Sequence, residues 1–177
     1  MPFCDDHLKA GHVLFELRSL VGDSEFGYRM QALLAHVFMR LGGHVNKISA
    51  QGHPDIDLTF SGRTLLIQVK APSGRQRNFS IDPSDIRGIT PSDYRSIGYM
   101  ALLDCSIPVR WMLIQHSLLT RQCQSSTSFA TLHAMADKPI SEECTIEFVK
   151  LVLLHQNALP NMNFHLLCDR AYRGEQL

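Results

Sequence analysis

Acidic, amide and basic side chains that could act together on a phosphate are concentrated between residues 55 and 70. Asp55 and Asp57 are separated by one residue, and so are Gln68 and Lys70. Because side chains on a strand alternate between its two faces, the members of each pair share a face if both segments are strands. If the two strands pair and these faces coincide, carboxylate, amide oxygen and ammonium groups converge on one spot, which suits chemistry on a phosphate.

The local pattern predicts that both segments are strands of one hairpin. Residues 55–60 alternate in polarity with a period of two, as expected for a half-buried strand. Ser61-Gly62-Arg63 supplies the turn, because glycine tolerates the positive φ that tight hairpins require. The second strand is predicted over 64–71 from its apolar residues Leu65, Leu66, Ile67 and Val69.

The clearest helix signal lies before this hairpin, over residues 24–41. Asp23 or Ser24 can cap its first amides, and Gly42-Gly43 ends it. Its apolar stripe follows the helical period and consists of Phe26, Met30, Leu33, Leu34, Val37, Phe38 and Leu41. The predicted order around the hairpin is therefore helix, strand, strand, strand.

The other elements are predicted from shorter patterns on either side. In the first two thirds we expect a helix over 5–21, a strand over 44–50, a loop over 72–80, brief helices starting at Pro83 and Pro91, and strands over 99–104 and 109–115. In the C-terminal third we expect a loop over 121–130, helices over 128–137 and 164–172, and a strand or a helix over 145–155.

Length and composition predict one ordinary globular domain. The chain of 177 residues and 20.0 kDa is long enough to bury a core; we expect a core over about 24–116 and a C-terminal elaboration over about 117–177. A net charge of zero counts against a large basic surface. The five scattered cysteines form no CxxC pair and favour a reducing, cytoplasmic setting. No apolar stretch is long enough to span a membrane, and no signal peptide is evident.

The order of these motifs resembles the PD-(D/E)xK nuclease superfamily. Pro54-Asp55 on one strand precedes Gln68-Val69-Lys70 on the next, with thirteen positions from Asp55 to Gln68 and a strong helix in front. The likeness covers about residues 25–71 and is closest in style to Holliday-junction resolvases and Mrr-like nucleases. It implies a restriction-endonuclease-like α/β fold, with a central mixed sheet flanked by helices. It also implies an endonuclease that uses Mg²⁺ or Mn²⁺ and acts on DNA.

The same resemblance implies a role for each residue of the motif. Asp55 is expected to be the main metal ligand, with the amide oxygen of Gln68 and the carbonyl of Val69 as further ligands. Lys70 is expected to orient or deprotonate the attacking water, or to stabilise the charge that develops on the phosphate. The alternative is that Asp55 and Lys70 form an ordinary ion pair, worth about 0–1 kcal/mol at a surface.

Gln68 departs from the family pattern, in which Asp or Glu is commoner at that place. An amide oxygen carries no full charge, so a second acid becomes more important for holding a cation. Asp57, two residues from Asp55, is either a further ligand or a solvent-facing strand residue. Glu25 is either a fourth member of the site or a solvated acid favoured by the dipole of its helix.

Basic side chains are concentrated just after the hairpin. Between residues 63 and 95, six Lys and Arg side chains are opposed by three Asp, so the local charge is about +3. Ser73, Arg75 and Arg77, together with Arg63 in the turn, are predicted to contact the phosphates of DNA. The alternative for residues 73–77 is a solvated loop with no ligand.

Other functions stay open alongside the nuclease. The chain is otherwise a catalytically inactive module with a nuclease fold that binds DNA or a protein, or a subunit that cuts only with a partner subunit. The resemblance adds the expectation of a homodimer, because two sites are needed to cut both strands of a duplex. The fold alone does not choose among these functions.

Overall fold

A computed structural model describes residues 3–49, 54–72, 78–106, 108–122 and 126–177. Its strands are β1 (His44–Ile48), β2 (Ile56–Phe60), β3 (Arg63–Lys70), β4 (Asn78–Ser80), β5 (Ser96–Asp104), β6 (Arg110–Gln115) and β7 (Ser126–Ser128). Its helices are α1 (Phe3–Val21), α2 (Asp23–Arg40), α3 (Pro83–Gly88), α4 (His116–Gln122), α5 (Phe129–Met135), α6 (Lys138–Leu154) and α7 (Phe164–Tyr172), with a 3-10 turn at Leu159–Asn161.

The central element is a mixed sheet of five strands within the described ranges, in the order β1-β2-β3-β5-β6. β1, β2 and β3 form an antiparallel meander, β3 runs parallel to β5, and β6 returns antiparallel to β5. Strands β4 and β7 pair separately as a small antiparallel sheet. This architecture confirms the prediction of an α/β domain with a central mixed sheet flanked by helices.

The hairpin at the centre of the sheet forms from local sequence alone. Ile56 lies opposite Ile67, and the pairing runs to Phe60 opposite Arg63. Ser61 and Gly62 turn the chain with φ values of 49° and 75°. Two successive positive φ values are what a two-residue hairpin loop needs, because they match the twist of the flanking strands. The predicted hairpin is therefore confirmed, but its turn has two residues instead of the predicted three, because Arg63 is already paired as the first residue of β3.

Each face of the sheet has its own apolar core. On the first face, the inward residues of β2 and β3 pack against α1, α2, α6 and α7, and they include Ile56, Leu58, Leu65, Ile67 and Val69. On the second face, β5 and β6 pack against α3, α4, α5 and β4 through a smaller set that includes Met100, Leu102, Met112, Ile114 and Ile89. The C-terminal helices α6 and α7 thus pack into the same core as α2.

Several predicted elements differ from the structure for local reasons. Pro91 starts no helix, because Asp93 Oδ1 accepts hydrogen bonds from the Arg95 N–H (2.9 Å) and the Ser96 hydroxyl (2.8 Å) and turns the chain into β5. The predicted loop over 121–130 contains the end of α4, strand β7 and the start of α5 in its described part. Residues 145–155, for which a strand or a helix was expected, lie almost entirely in α6. No helix in the described part of the chain has the length and apolar character needed to cross a bilayer.

α6 also covers the outer edge of the sheet. The backbone N–H groups of Trp111 and Leu113 donate to the hydroxyls of Thr145 (2.9 Å) and Ser141 (3.0 Å), which lie one turn apart on α6. Both hydroxyl residues are buried. Because an unpaired edge strand exposes hydrogen-bonding groups that can pair with another chain, these two side chains close the β6 edge.

Candidate active site at the end of the central hairpin

Asp55 and Gln68 meet at the end of the hairpin farthest from its turn. Asp55 directly precedes β2, and continuing the β2–β3 register by one residue puts it opposite Gln68. Asp55 Oδ2 accepts hydrogen bonds from the Gln68 side-chain amide (2.7 Å) and from the Val69 backbone N–H (2.8 Å). Both side chains are buried, with 4% of each residue exposed. The Asp55 carbonyl accepts from the Ser49 N–H at 2.8 Å, which fixes its backbone against the end of β1.

Asp57 lies on the same face as this pair but is bonded to a different strand. It is opposite Leu66, on the face of the sheet that carries the smaller core. Its Oδ1 accepts a hydrogen bond from the Asn46 amide of β1 at 2.9 Å. Asp57 is half-buried and lies two residues after Asp55 in the sequence. It therefore adds negative charge near the site, while its observed hydrogen bond stabilises the β1–β2 pairing.

Lys70 is paired with an acid that the sequence did not single out. Its Nζ is 2.8 Å from Oδ2 of Asp85, which is on α3. The side chain of Asp85 is 5% exposed and that of Lys70 is 32% exposed, so the ammonium lies between the buried carboxylate and solvent. Among the described residues Lys70 makes no ion pair with Asp55, so the simple Asp55–Lys70 pair considered above is not observed.

The position of Asp85 depends on a glycine in β5. A Cβ added to Gly98 would lie 1.9 Å from the backbone oxygen of Ile89, at the end of α3. Only glycine allows α3 to pack this closely on the strand. The only hint in the sequence was the helix start at Pro83-Ser-Asp, and a helix start does not say where the helix packs. Asp85 could therefore not be assigned to the site from sequence.

A second carboxylate caps α3 beside Lys70. Oδ1 of Asp82 accepts hydrogen bonds from the Ser84 N–H and the Ser84 hydroxyl, both at 2.7 Å. These bonds, first the hydroxyl and then the backbone one, hold the pKa of Asp82 below its usual value, and the charge of Lys70 adds a smaller effect in the same direction. Asp82 and Asp85 therefore both present negative charge to Lys70.

Glu25 does not join this group, contrary to the prediction. Its Oε1 accepts hydrogen bonds from the Arg29 guanidinium (2.8 Å) and from the Phe164 backbone N–H (3.3 Å). Arg29 is buried and also donates to the Leu159 carbonyl at 2.9 Å. Because a buried guanidinium requires a partner, Glu25 is drawn to Arg29 one turn along α2. Glu25 thus connects α2 to the C-terminal segment.

The residues predicted to contact DNA are only partly within the described ranges. Ser73, Arg75 and Arg77 lie outside the described residues. Arg63 is at the opposite end of the eight-residue strand β3 from Lys70, about 23 Å along the strand at about 3.3 Å per residue. Arg63 is therefore remote from the Asp55–Gln68 pair, although a long nucleic acid could span that distance.

Next to Arg63 lies an exposed pair that the sequence analysis missed. The Thr64 N–H donates to the Arg95 carbonyl at 3.0 Å, which brings the start of β3 beside the residues before β5. The Arg95 guanidinium lies 5.4 Å from the ring centroid of Tyr94, and Tyr94 is 84% exposed. Of the described cations, Arg63 and Arg95 thus lie near the turn end of β3, whereas Lys70 lies at its other end.

Few oxygen atoms around Asp55 are available to a divalent ion. No group of three or more His, Cys, Asp or Glu side chains within the described ranges is arranged to hold a metal. Because N–H and C=O of one strand residue point to the same side, the Val69 carbonyl faces the Asp55 side, as its N–H does. The Gln68 amide now donates to Asp55 and must rotate to present its oxygen. One carboxylate and two neutral oxygens suit Mg²⁺, which usually keeps several waters.

Comparison with known proteins finds no relative of this chain. No family model, curated protein or solved structure matches the chain. The basis for a functional proposal is therefore the geometry around Asp55 together with the resemblance of residues 25–71.

Proposed function

We propose that this chain is a metal-dependent endonuclease of the PD-(D/E)xK type that hydrolyses phosphodiester bonds of DNA. The observation that carries the proposal is the direct contact of Asp55 Oδ2 with both the Gln68 side chain and the Val69 backbone. Lys70 extends from the same face two residues further along β3 and is partly open to solvent. These are the residues to which the resemblance assigns metal binding and water activation.

Each residue has a distinct task in this proposal. Asp55 supplies the carboxylate that holds Mg²⁺ or Mn²⁺, and Gln68 and Val69 supply neutral oxygens. The bound ion neutralises charge on the phosphate and makes water a better nucleophile at neutral pH. Lys70 donates hydrogen bonds from its ammonium to a phosphate oxygen or to the attacking water, and so stabilises the charge that develops during the reaction.

The proposal extends to the setting of the enzyme. Cys105, Cys144 and Cys168 are free thiols in the described part of the chain, which is compatible with a reducing cytoplasm. DNA is the proposed substrate. A homodimer is proposed because cleavage of both strands needs two sites, and sedimentation of the purified protein measures it directly.

The deciding experiment is cleavage of supercoiled, linear and four-way-junction DNA with Mg²⁺ or Mn²⁺ and with chelator. We expect cleavage by the native protein only with metal, and a loss of about 100-fold or more in Lys70→Ala, as for removal of one charge-stabilising donor. Lys47→Ala is the matched control, because Lys47 is an exposed strand lysine on β1. If the native protein cuts none of these DNAs and no metal raises its melting temperature, the proposal is wrong.

A second candidate, the inactive binding module, is favoured by one specific observation. Asp55 is already hydrogen-bonded by the Gln68 amide, and Lys70 is already paired with Asp85. Such a polar network is satisfied without a metal. The module is expected to bind DNA or protein with no divalent-dependent stabilisation, whereas a subunit that needs a partner subunit binds metal but cuts nothing alone.

A further inference from the structure

Lys70 is within reach of Asp55 on the sheet. The β2–β3 register puts Asp55 opposite Gln68, and Lys70 is two residues further on the same face. Such diagonal neighbours in an antiparallel pair are about 7–8 Å apart, which a long side chain can bridge. A lysine ammonium in that position can occupy the place of a metal ion beside the carboxylate. Something must therefore direct Lys70 elsewhere if Asp55 is to bind a divalent cation.

The observed partner of Lys70 has the properties needed to do so. Asp85 Oδ2 is 2.8 Å from Nζ, and the Asp85 side chain is 5% exposed. A buried carboxylate is costly unless it is paired, so Asp85 retains an ammonium more firmly than a solvated acid does. Asp82 at the cap of α3 adds a second negative charge near Lys70. Two acids from α3 thus attract the lysine on the side away from β2.

The helix that carries these acids is held close to the sheet. Ile89 at its C-terminal end is fully buried, and Gly98 removes the Cβ that would collide with the Ile89 backbone oxygen. Gly98 is paired with Leu66 across β3 and β5, on the face that carries Lys70. The distance between the end of α3 and β5, the neighbour of β3, is therefore set by backbone packing, and this packing positions the helix that carries Asp85.

From this geometry we propose that Asp85 is a positioning residue: it holds the ammonium of Lys70 away from Asp55, so that Lys70 does not compete with a divalent cation for that carboxylate. The inference rests on the proposed function for its consequence in catalysis. The position of the ammonium itself is a property of the metal-free protein and can be measured separately.

The first test uses the metal-free protein and the ¹H–¹⁵N NMR signals of lysine ammonium groups. In the native protein, Asp55→Asn is expected to leave the Lys70 signal unchanged. In an Asp85→Asn background, the Lys70 signal is expected to move, and then to move again when Asp55→Asn is added. Asp57→Asn in that background is the matched control and should have no effect, because Asp57 is bonded to β1. Backbone amide spectra verify that each variant is folded.

The second test measures Mn²⁺ binding by paramagnetic titration. Asp85→Asn is expected to weaken binding about three- to fivefold, the size of a partly exposed ion pair. Adding Lys70→Met to Asp85→Asn is expected to restore binding without restoring cleavage, because the competing ammonium is gone. A direct ligand role, or a purely structural role, would leave the double variant as weak as Asp85→Asn.

The outcomes separate the two proposals. The inference is overturned if the Lys70 signal of Asp85→Asn does not change when Asp55→Asn is added. It is also overturned if the native protein binds Mn²⁺ but Asp85→Asn/Lys70→Met binds the ion no better than Asp85→Asn does. If the native protein binds no Mn²⁺ while the Lys70 signal responds as expected, the nuclease proposal fails and the positioning role of Asp85 stands.

Discussion

Replacing Gln68 by Glu is the sharpest perturbation of the Asp55 site. The native amide donates a 2.7 Å hydrogen bond to Asp55 Oδ2 inside a region where both residues are 4% exposed. Gln68→Glu keeps the shape of the side chain but puts two carboxylates at that separation. The variant therefore replaces the hydrogen bond between residue 68 and Asp55 by repulsion between two carboxylates. It also creates the acidic pair that is commoner in the PD-(D/E)xK pattern.

The expected loss of stability follows from two terms. The lost hydrogen bond contributes about 1 kcal/mol. Two unit charges about 4 Å apart repel by about 4 kcal/mol at an effective dielectric constant of 20. Rotation of the new Glu side chain relieves part of this repulsion, so we expect the free energy of unfolding in chelator to fall by about 2–4 kcal/mol. That is less than the roughly 5–15 kcal/mol that holds a domain together, so the variant should still fold.

Divalent metal should offset part of this loss. At about ten times its dissociation constant, an ion that binds only the folded protein adds about 1.4 kcal/mol. We therefore expect urea unfolding of Gln68→Glu to show a larger stabilisation by Mg²⁺ than the native protein shows. Gln115→Glu is the matched control, because the Gln115 amide donates a comparable 3.1 Å hydrogen bond to Asp137 elsewhere in the fold.

Two results would refute the reasoning. If Gln68→Glu is as stable as the native protein in chelator, the carboxylates are not adjacent and the site geometry is wrong. If Mg²⁺ stabilises Gln115→Glu as much as Gln68→Glu, any two adjacent carboxylates bind the ion equally well, and the result does not support a specific metal site at Asp55. Cleavage assays run in parallel should show an increase for Gln68→Glu and no change for Gln115→Glu.

Three further predictions test how the fold supports the site. Burial lowers the pKa of His36, whose Nε2 is 2.9 Å from the Leu167 carbonyl. The unfolded chain then binds the proton more tightly, so the contribution of His36 to stability should be full above about pH 6.5 and fall on acidification by at most about 1.4 kcal/mol per pH unit. Urea unfolding of His36→Gln should show a smaller slope, to which the lowered pKa of His116 still contributes. Gly98→Ala should lower the free energy of unfolding by about 1–3 kcal/mol, because the added methyl group displaces Ile89. Its NMR spectrum should show a shifted Lys70 ammonium signal, and unchanged stability would contradict the close packing of α3. Tyr172→Phe should cost about 1–2 kcal/mol in thermal or urea unfolding, because its hydroxyl bonds both the N–H (2.7 Å) and the carbonyl (2.8 Å) of the last residue of β1.

Local patterns in the sequence predicted the parts of the fold that depend on neighbouring residues. The hairpin was predicted from alternation and from a turn at Ser61-Gly62-Arg63, and both signals act within a few residues. The stripe of α2 likewise predicted a helix, and its apolar residues are buried as expected. The position of Asp55 opposite Gln68 depends on the two-residue turn that the structure shows, because the turn sets the register of the whole hairpin. The predicted three-residue turn did not give this register.

Contacts between distant segments could not be predicted in this way. Asp85 reaches Lys70 only because α3 packs on Gly98, and a glycine in an apolar strand does not reveal which backbone it admits. From its place in the sequence, Glu25 could face the sheet or the C-terminal segment. It contacts the C-terminal segment because it pairs with the buried Arg29, and the sequence did not show that Arg29 is buried. For α6 the difficulty was physical: the helix packs against both β6 and neighbouring helices, so its apolar residues show little periodicity.

The charge balance of the site connects its stability to its proposed chemistry. Asp55 and Asp85 carry two negative charges, Lys70 carries one positive charge, and Gln68 is neutral, so these four residues together carry −1. A second full acid beside Asp55 would raise the repulsion in the metal-free protein, as worked out for Gln68→Glu, and the amide avoids that cost by donating a hydrogen bond instead. The same amide weakens the attraction for a cation.

A phosphate group brings further negative charge, so the ion and the nucleic acid should each strengthen the binding of the other, by the reciprocity of coupled binding. For the proposed nuclease, Gln68 thus suits a site that would be stable without metal and would bind the ion most firmly when the substrate is present.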